Sequence, residues 1–289
     1  MVSRRDFLRS AALGAGVATF APRNLPGLRG LDAAAPLDRI ERAGLQLYTV
    51  RAAMRDDVPG TLARVAGIGY KEVEFAGYFG VQPERIRELL DLNGLTSPSV
   101  HTAIEILERD FDAQARAAKT IGHEMLIVPS LDTRTLTDAA SWKAIAARFD
   151  AIGRKAHGAG LRFGFHNHAV EPRPLADGTV PFDVLLRETD PGLVDYQMDI
   201  YWMVKSGGDP LAYFAKYPGR FRSVHVKDAT AAPALEMTDV GSGAIDWKQI
   251  FAQHARAGIR HYFVEHDNPS PDPFASIAAS YRYLSALTF

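Results

Sequence analysis

Eight times along this chain a short β-rich run closes on a polar residue and gives way to a stretch of helical periodicity, and this recurrence limits the fold more than any other feature. The runs read "AGLQLYTV", "YKEVEFAG", "LTSPSVHT", "HEMLIVPS", "LRFGFHNH", "LVDYQMDI", "FRSVHVKD" and "RHYFVEHD". Between them lie stretches such as "TLARVAGIG", "QPERIRELLDLNG", "LERDFDAQARAAKTIG" and "SWKAIAARFDAIGRKAHGAG", whose apolar residues recur at three and four and which often stop at glycine. Strand alternating with helix builds a parallel sheet. The strand-end landmarks Tyr48, Glu74, His101, Val128, His166, Asp199, His225 and Glu265 stand 26 to 40 residues apart, enough each time for one βα unit. Eight units favour a closed (β/α)8 TIM barrel, a single α/β domain, over a doubly wound sheet. Loops are expected at "AVEPRPLADGTVP" and "ATAAPALEMTDVGSGAI".

The first 35 residues fall outside that pattern. Arg4 and Arg5 stand beside Phe7 and Leu8, a short weakly apolar stretch "AALGAGVATFA" follows, and "DAAA" ends at Ala35 with small residues suited to cleavage. This order is that of a twin-arginine export signal, which implies passage through the twin-arginine machinery to the periplasm or beyond. The stretch is too short and glycine-rich to remain as a spanning helix, so no stable membrane anchor is expected after cleavage. About 254 residues remain from 36 to 289, close to the ~250 of such a barrel. The formal net charge of -1 offers no basic surface for phosphate neutralisation, so nucleic acid is not an expected partner. With no cysteine in the chain, any metal must be held by nitrogen and oxygen.

Chemistry in these barrels collects where strands end. His101, His166, His168, His225 and His266 fall at such ends, together with Glu74, Asp199 and Glu265. His123, His157, His254 and His261 lie in helices, turns or strand starts and read as packing or surface residues. In "FGFHNH" the alternation of a strand sends His166 and His168 to one side, as ligands, a base or filler. Asp199, His225 and Glu265 each interrupt an apolar run, and a buried carboxylate needs a cation, a hydrogen-bonding shell or a shifted pKa. One divalent ion held by His166, Asp199, His225 and Glu265 would satisfy all four; the alternative is a set of separately satisfied buried polar residues.

At these positions the chain resembles the xylose isomerase-like barrels of sugar phosphate isomerases and epimerases, a family that also includes hexulose 3-epimerases, inosose dehydratases and a DNA-repair endonuclease branch. The resemblance covers nearly everything after residue 35 and rests on "LQLYTVR", "FHNHAVE", "QMDIYWMVKSGGDP", "VHVKD", "VGSGAIDW" and "FVEHDN", in that order. It implies metal binding by Asp199, His225 and Glu265. The family's first metal-binding glutamate, on the fifth strand, falls on His166. That replacement removes one negative charge from the ligand set and shifts preference toward manganese or zinc, with cobalt as a further candidate, rather than magnesium. It also removes half of the carboxylate pair that the family's epimerases use as acid and base.

The resemblance therefore implies a metal-dependent isomerase or epimerase that abstracts a proton beside a sugar carbonyl. Glu265 is the expected base, with His168 or Lys227 as alternatives or as the proton donor. His166 is assigned to the metal and His168 to the substrate or a proton shuttle. His101 is expected on a substrate hydroxyl, Glu74 and Glu171 on the histidines or the sugar, and Trp202, Tyr48 and Phe79 against a sugar face. The glycines of "VGSGAID" are a weak phosphate signal, and export argues for an unphosphorylated sugar, keto-sugar or polyol. A lyase or dehydratase acting on keto-glycosides or inosose-like substrates uses the same residues and is the first alternative. A non-catalytic periplasmic sugar-binding barrel is the second.

Overall fold

The polar residue ending each run marks the point where a parallel strand gives way to a loop. The computed structural model describes residues 38–269 and 272–289, so the export signal expected over residues 1–35 lies outside the described residues. The first seven runs form β1 (Ala43–Gln46), β2 (Glu72–Phe75), β3 (Thr96–His101), β4 (Met125–Val128), β5 (Arg162–His166), β6 (Val194–Asp199) and β7 (Phe221–Val226). A small antiparallel pair follows, β8 (Asp228–Ala229) with β9 (Met237–Thr238), and the eighth run forms β10 (His261–Val264). All barrel pairings are parallel, and the order β1-β10-β7-β6-β5-β4-β3-β2 closes on itself. The architecture is the expected single-domain (β/α)8 barrel.

Period-two alternation divides each strand between the helical layer and the barrel interior. On β6, Val194, Tyr196 and Met198 share one side and belong to the apolar core, whereas Asp195, Gln197 and Asp199 share the other. Gly44 on β1 has its own reason: a methyl group there would lie 2.5 Å from the Phe263 ring, so glycine makes room for that aromatic side chain. One end of the barrel holds an ion-paired cluster in which Glu72 accepts from Arg42 Nε at 3.2 Å and lies 2.8 Å from His261 Nδ1.

The opposite end, where the strands stop, is shaped by caps. The first strand is shorter than its run: Gln46 Oε1 accepts the backbone N–H of Tyr48 at 3.0 Å, and Leu47–Val50 turns into a 3-10 helix. Tyr48 therefore sits in a turn at the mouth, not at a strand end. Asp199 caps the helix Ile200–Lys205 by accepting the Trp202 N–H at 2.9 Å, which commits Oδ1 and leaves Oδ2 for other work. Among the described residues, no helix is long and apolar enough to cross a membrane.

Candidate metal centre and substrate cavity

Four neighbouring strands bring the expected ligands together. His166 ends β5, Asp199 ends β6, His225 lies on β7, and Glu265 follows β10. His225 Nδ1 lies 2.7 Å from Glu265 Oε2, and His166 Nε2 lies 3.7 Å from Asp199 Oδ2. Donor atoms of Asp199, His225 and Glu265 all fall within 4.8 Å of one another, as do those of His101, His166 and His225. His225 joins the two triads. His101, expected only on a substrate hydroxyl, is thus placed at the edge of the same ligand cluster.

The residues fit a divalent cation. His166 Nδ1 is buried without a hydrogen-bond partner among the described residues, an unfavourable arrangement unless a further group completes it, and Asp199 Oδ2 meets the Lys227 ammonium with acceptor capacity to spare. Burial, with His225, His168 and His101 nearby, holds the His166 imidazole well below its usual pKa and hence neutral, as a ligand must be. Lys227 supplies positive charge beside the carboxylates, its Nζ lying 2.9 Å from Asp199 Oδ2, 2.7 Å from Glu265 Oε2 and 2.8 Å from Asp267 Oδ1. Burial favours the neutral amine, but these three carboxylates outweigh it and hold Lys227 protonated. Glu265 answers in kind: burial lifts its pKa, and Lys227 and His225 pull it well below the carboxylate range.

Beneath this cluster Glu74 ties the barrel interior together. Its Oε1 accepts from Gln46 Nε2 at 2.7 Å and lies 2.6 Å from His225 Nε2, while Oε2 accepts from Ser99 Oγ and from Gln197 Nε2 at 2.8 Å. His101 Nε2 lies 3.1 Å from the same carboxylate and 2.8 Å from Gln197 Oε1. Burial works against charge on both partners, yet Glu265 and Glu74 raise His225 to about 10, and His101 and His225 hold Glu74 well below the carboxylate range, so a cation bound at His225 would displace the proton its Nδ1 shares with Glu265. Glu74 was expected at the substrate or at the histidines; it is fully buried and orients histidines.

A cavity of about 820 Å³ opens over the centre, with His101, His166, His168, Trp202, Lys227 and Glu265 in its wall. His168 stands edge-on to His166 at 4.9 Å between ring centroids and 5.8 Å from the Trp202 ring. Burial and the neighbouring Lys227 lower its pKa to about 4, so it is neutral near pH 7. Glu171, expected near the substrate, is buried outside the lining and accepts the His168 backbone N–H at 2.8 Å. Tyr48 lines the mouth, with the Arg51 guanidinium 4.1 Å from its ring centroid. Phe79, expected against a sugar face, instead packs on the core, and its neighbour Tyr78 takes the place in the cavity wall.

The xylose isomerase-like TIM barrel family matches residues 62–287. The chain belongs to that family. Within this xylose isomerase-like family, an inosose dehydratase from Lacticaseibacillus casei is 28% identical over 259 residues, covering 75% of this chain and 85% of the relative. A crystal structure of a sugar phosphate isomerase/epimerase from Parabacteroides distasonis superposes with a TM-score of 0.73 at 26% identity, covering 89% of this chain and 96% of the other. A structure of the IolI protein with a bound zinc atom shares the fold at 14% identity, with a TM-score of 0.67 over 83% of this chain and 95% of that one.

Several residues of this family barrel escaped the reading from sequence. Gln46, Ser99 and Gln197 build the floor, and Asn167 links two ligand strands by accepting the Asp199 N–H at 3.0 Å. Asp228 is the most heavily used: it accepts from the backbone N–H groups of Ala229, Gly241, Gly243 and Ile245 and from Trp247 Nε1 at 2.9 Å. The glycine-rich turn read as a weak phosphate signal therefore spends three of these donors on Asp228. Only the charged motif "VHVKD" signalled Asp228 in the sequence.

Proposed function

We propose that this chain is a metal-dependent lyase that removes a proton beside the carbonyl of an unphosphorylated keto-sugar or polyol ketone and expels the oxygen substituent one carbon further on. The observation that carries the reading is the one-sidedness of the acid/base set. Imidazoles, His166 and His168, belong to the β5 end, and the carboxylate Glu265, with the Lys227 ammonium 2.7 Å away, belongs to β10, three strands along the barrel. Inverting a carbon through two carboxylate bases, one on each face, has no second carboxylate at His166. Elimination needs one base and one stabilised leaving oxygen.

A divalent ion, manganese or zinc with cobalt as the further candidate, would be held by His166, Asp199, His225 and Glu265 and would supply Lewis-acid polarisation of the carbonyl. Glu265, or His168 through its neutral imidazole, takes the proton. The C–H electrons become the new C=C bond, the C–O bond breaks with its electrons on oxygen, and that oxygen gains a proton to leave as water or an alcohol. Lys227, held protonated, offsets negative charge developing on oxygen in the cavity. His101 and Trp202 orient the sugar. The inosose dehydratase relatives, whose name denotes loss of water, support this outcome.

Isomerisation is the second reading, supported by the similarity to the sugar phosphate isomerase/epimerase of Parabacteroides distasonis. It uses the same base but returns the proton to the neighbouring carbon. Incubation of the manganese-loaded protein with inosose and with keto-glucosides in deuterium oxide separates the readings. Metal-dependent release of water or an alcohol is expected. Deuterium at carbon without release would favour isomerisation, and neither with manganese, zinc or cobalt would leave a sugar-binding barrel. Export through the twin-arginine route belongs to the proposal, and cell fractionation tests it.

A further inference from the structure

The cavity has two unlike halves, and the candidate metal centre accounts for only one. β5, β6, β7 and β10, contiguous in the barrel, carry His166, Asp199, His225 and Glu265, and His101 at the end of β3 borders that cluster. Across the mouth, the loops after β2, β3 and β4 and the helix Ile104–Ile121 line the same cavity with Ala76, Tyr78, Ala103, Ile106 and Pro129, among which stand the polar Thr102, Gln114 and Ser130. At about 820 Å³ the whole space lies toward the upper end of the ~300–1,000 Å³ range that holds drug-sized ligands, more than a single sugar ring requires.

This second half is built, not left over. Gly77, Phe79 and Gly80 take φ values of +78°, +53° and +77° around Tyr78. Left-handed backbone is costly for phenylalanine, and such strain tends to sit at ligand-binding segments. The turn is closed by Val81 N–H donating to Tyr78 C=O at 3.0 Å, and the Tyr78 ring stacks on His123 at 5.9 Å and 4°. Tyr78 is thereby fixed as a wall. Among the described residues its hydroxyl is buried without a partner, as is the indole N–H of Trp202 on the charged side. A second sugar would bring many hydroxyls to a surface whose polar side chains, Thr102, Gln114 and Ser130, are outnumbered by apolar ones. An aromatic ring suits that surface.

We infer that the β2–β4 half of the cavity is an aglycone subsite, so that the substrate is a glycoside whose keto-sugar faces Lys227 and Glu265 while its aromatic aglycone lies between Tyr78, Ile106 and Pro129. The inference rests on the proposed proton abstraction and names the leaving group as a phenol. A glycoside has its anomeric carbon locked in the ring, so open-chain aldose–ketose isomerisation is closed to it and elimination remains open.

Calorimetric binding of phenyl β-glucoside and methyl β-glucoside to the manganese-loaded protein tests the subsite without requiring turnover. The phenyl compound is expected to bind about tenfold or more tightly. The ratio is expected to fall toward one in Ile106→Asp, and to survive in Ile106→Leu, which reports whether the fold tolerates change there. A phenyl-to-methyl ratio near one in the unaltered protein, or no binding of either, overturns the subsite. Metal-dependent deuterium exchange into inosose is read on the same preparation. Exchange with a ratio near one sinks the subsite alone, and a high ratio without exchange sinks the proposed reaction alone.

Discussion

Lys227 Nζ lies 2.7 Å from Glu265 Oε2, and both groups are buried at the end of the barrel. The same ammonium lies 2.9 Å from Asp199, so one lysine balances two candidate metal ligands. Removing one member of such a buried set leaves the others uncompensated. Lys227→Met is expected to destabilise the metal-free protein by about 3–5 kcal/mol. With saturating manganese the loss should shrink, because the ion replaces the missing charge. Urea unfolding with and without manganese checks this, and an equal loss in both would count against a metal at these carboxylates.

His225 is clamped between Glu265 and Glu74, which raise its pKa to about 10 despite burial. A group raised in the folded state contributes stability that is fully present below its unfolded pKa, about 6.5, and is lost as pH rises through the folded value. The chelated protein should therefore lose stability between about pH 6.5 and 10. Denaturation midpoints measured across that window test the sign. His225→Asn should start lower and decline less, and a wild-type profile that rises with pH would refute the clamp.

The strand pattern was legible because each parallel strand is buried on the helix side by residues such as Val73, Phe165 and Met198, which write an apolar run that a polar terminus punctuates. The ligand positions were legible for the converse reason, since Asp199, His225 and Glu265 break those runs. Gln46, Ser99 and Gln197 were not, because a neutral polar residue facing inward has no spacing signal until barrel closure brings it to Glu74. The end of β1 was misread for a local cause, the Gln46 side chain capturing the Tyr48 N–H. Tyr78 rather than Phe79 lines the cavity, in a turn where Phe79 takes a positive φ that no propensity announces.

His166 and His168 are two residues apart, yet their surroundings assign them different tasks. His166 is buried beside Asp199 with Nδ1 unpartnered among the described residues, whereas His168 lies further out in the cavity wall next to Trp202. His166→Ala should weaken manganese binding by at least the roughly 10–100-fold seen for outer-shell residues. His168→Ala should retain one equivalent of metal while turnover drops by about 10²–10⁴-fold. Metal analysis of both variants decides the matter, and metal loss confined to His168→Ala would reverse the assignment.

Asp228 adjoins Lys227 in the chain and gathers five N–H groups from residues 229–247, so its carboxylate fixes the segment from which Lys227 projects. An amide at this position presents one acceptor oxygen and turns an NH2 group against donors that have no other partner. Of the five donors only those of Ala229 and Trp247 belong to buried residues, and each unsatisfied buried donor costs about 1–3 kcal/mol, so Asp228→Asn should destabilise the protein by about 1–3 kcal/mol. The candidate ligands stand on other strand ends and on His225, before the affected segment. Manganese should therefore still bind at one equivalent while turnover falls through displacement of the Lys227 ammonium. Stability, metal content and turnover measured on one preparation distinguish this from a general loss of fold. A variant with full turnover and an unchanged unfolding midpoint would show that the five contacts do not hold Lys227 in place.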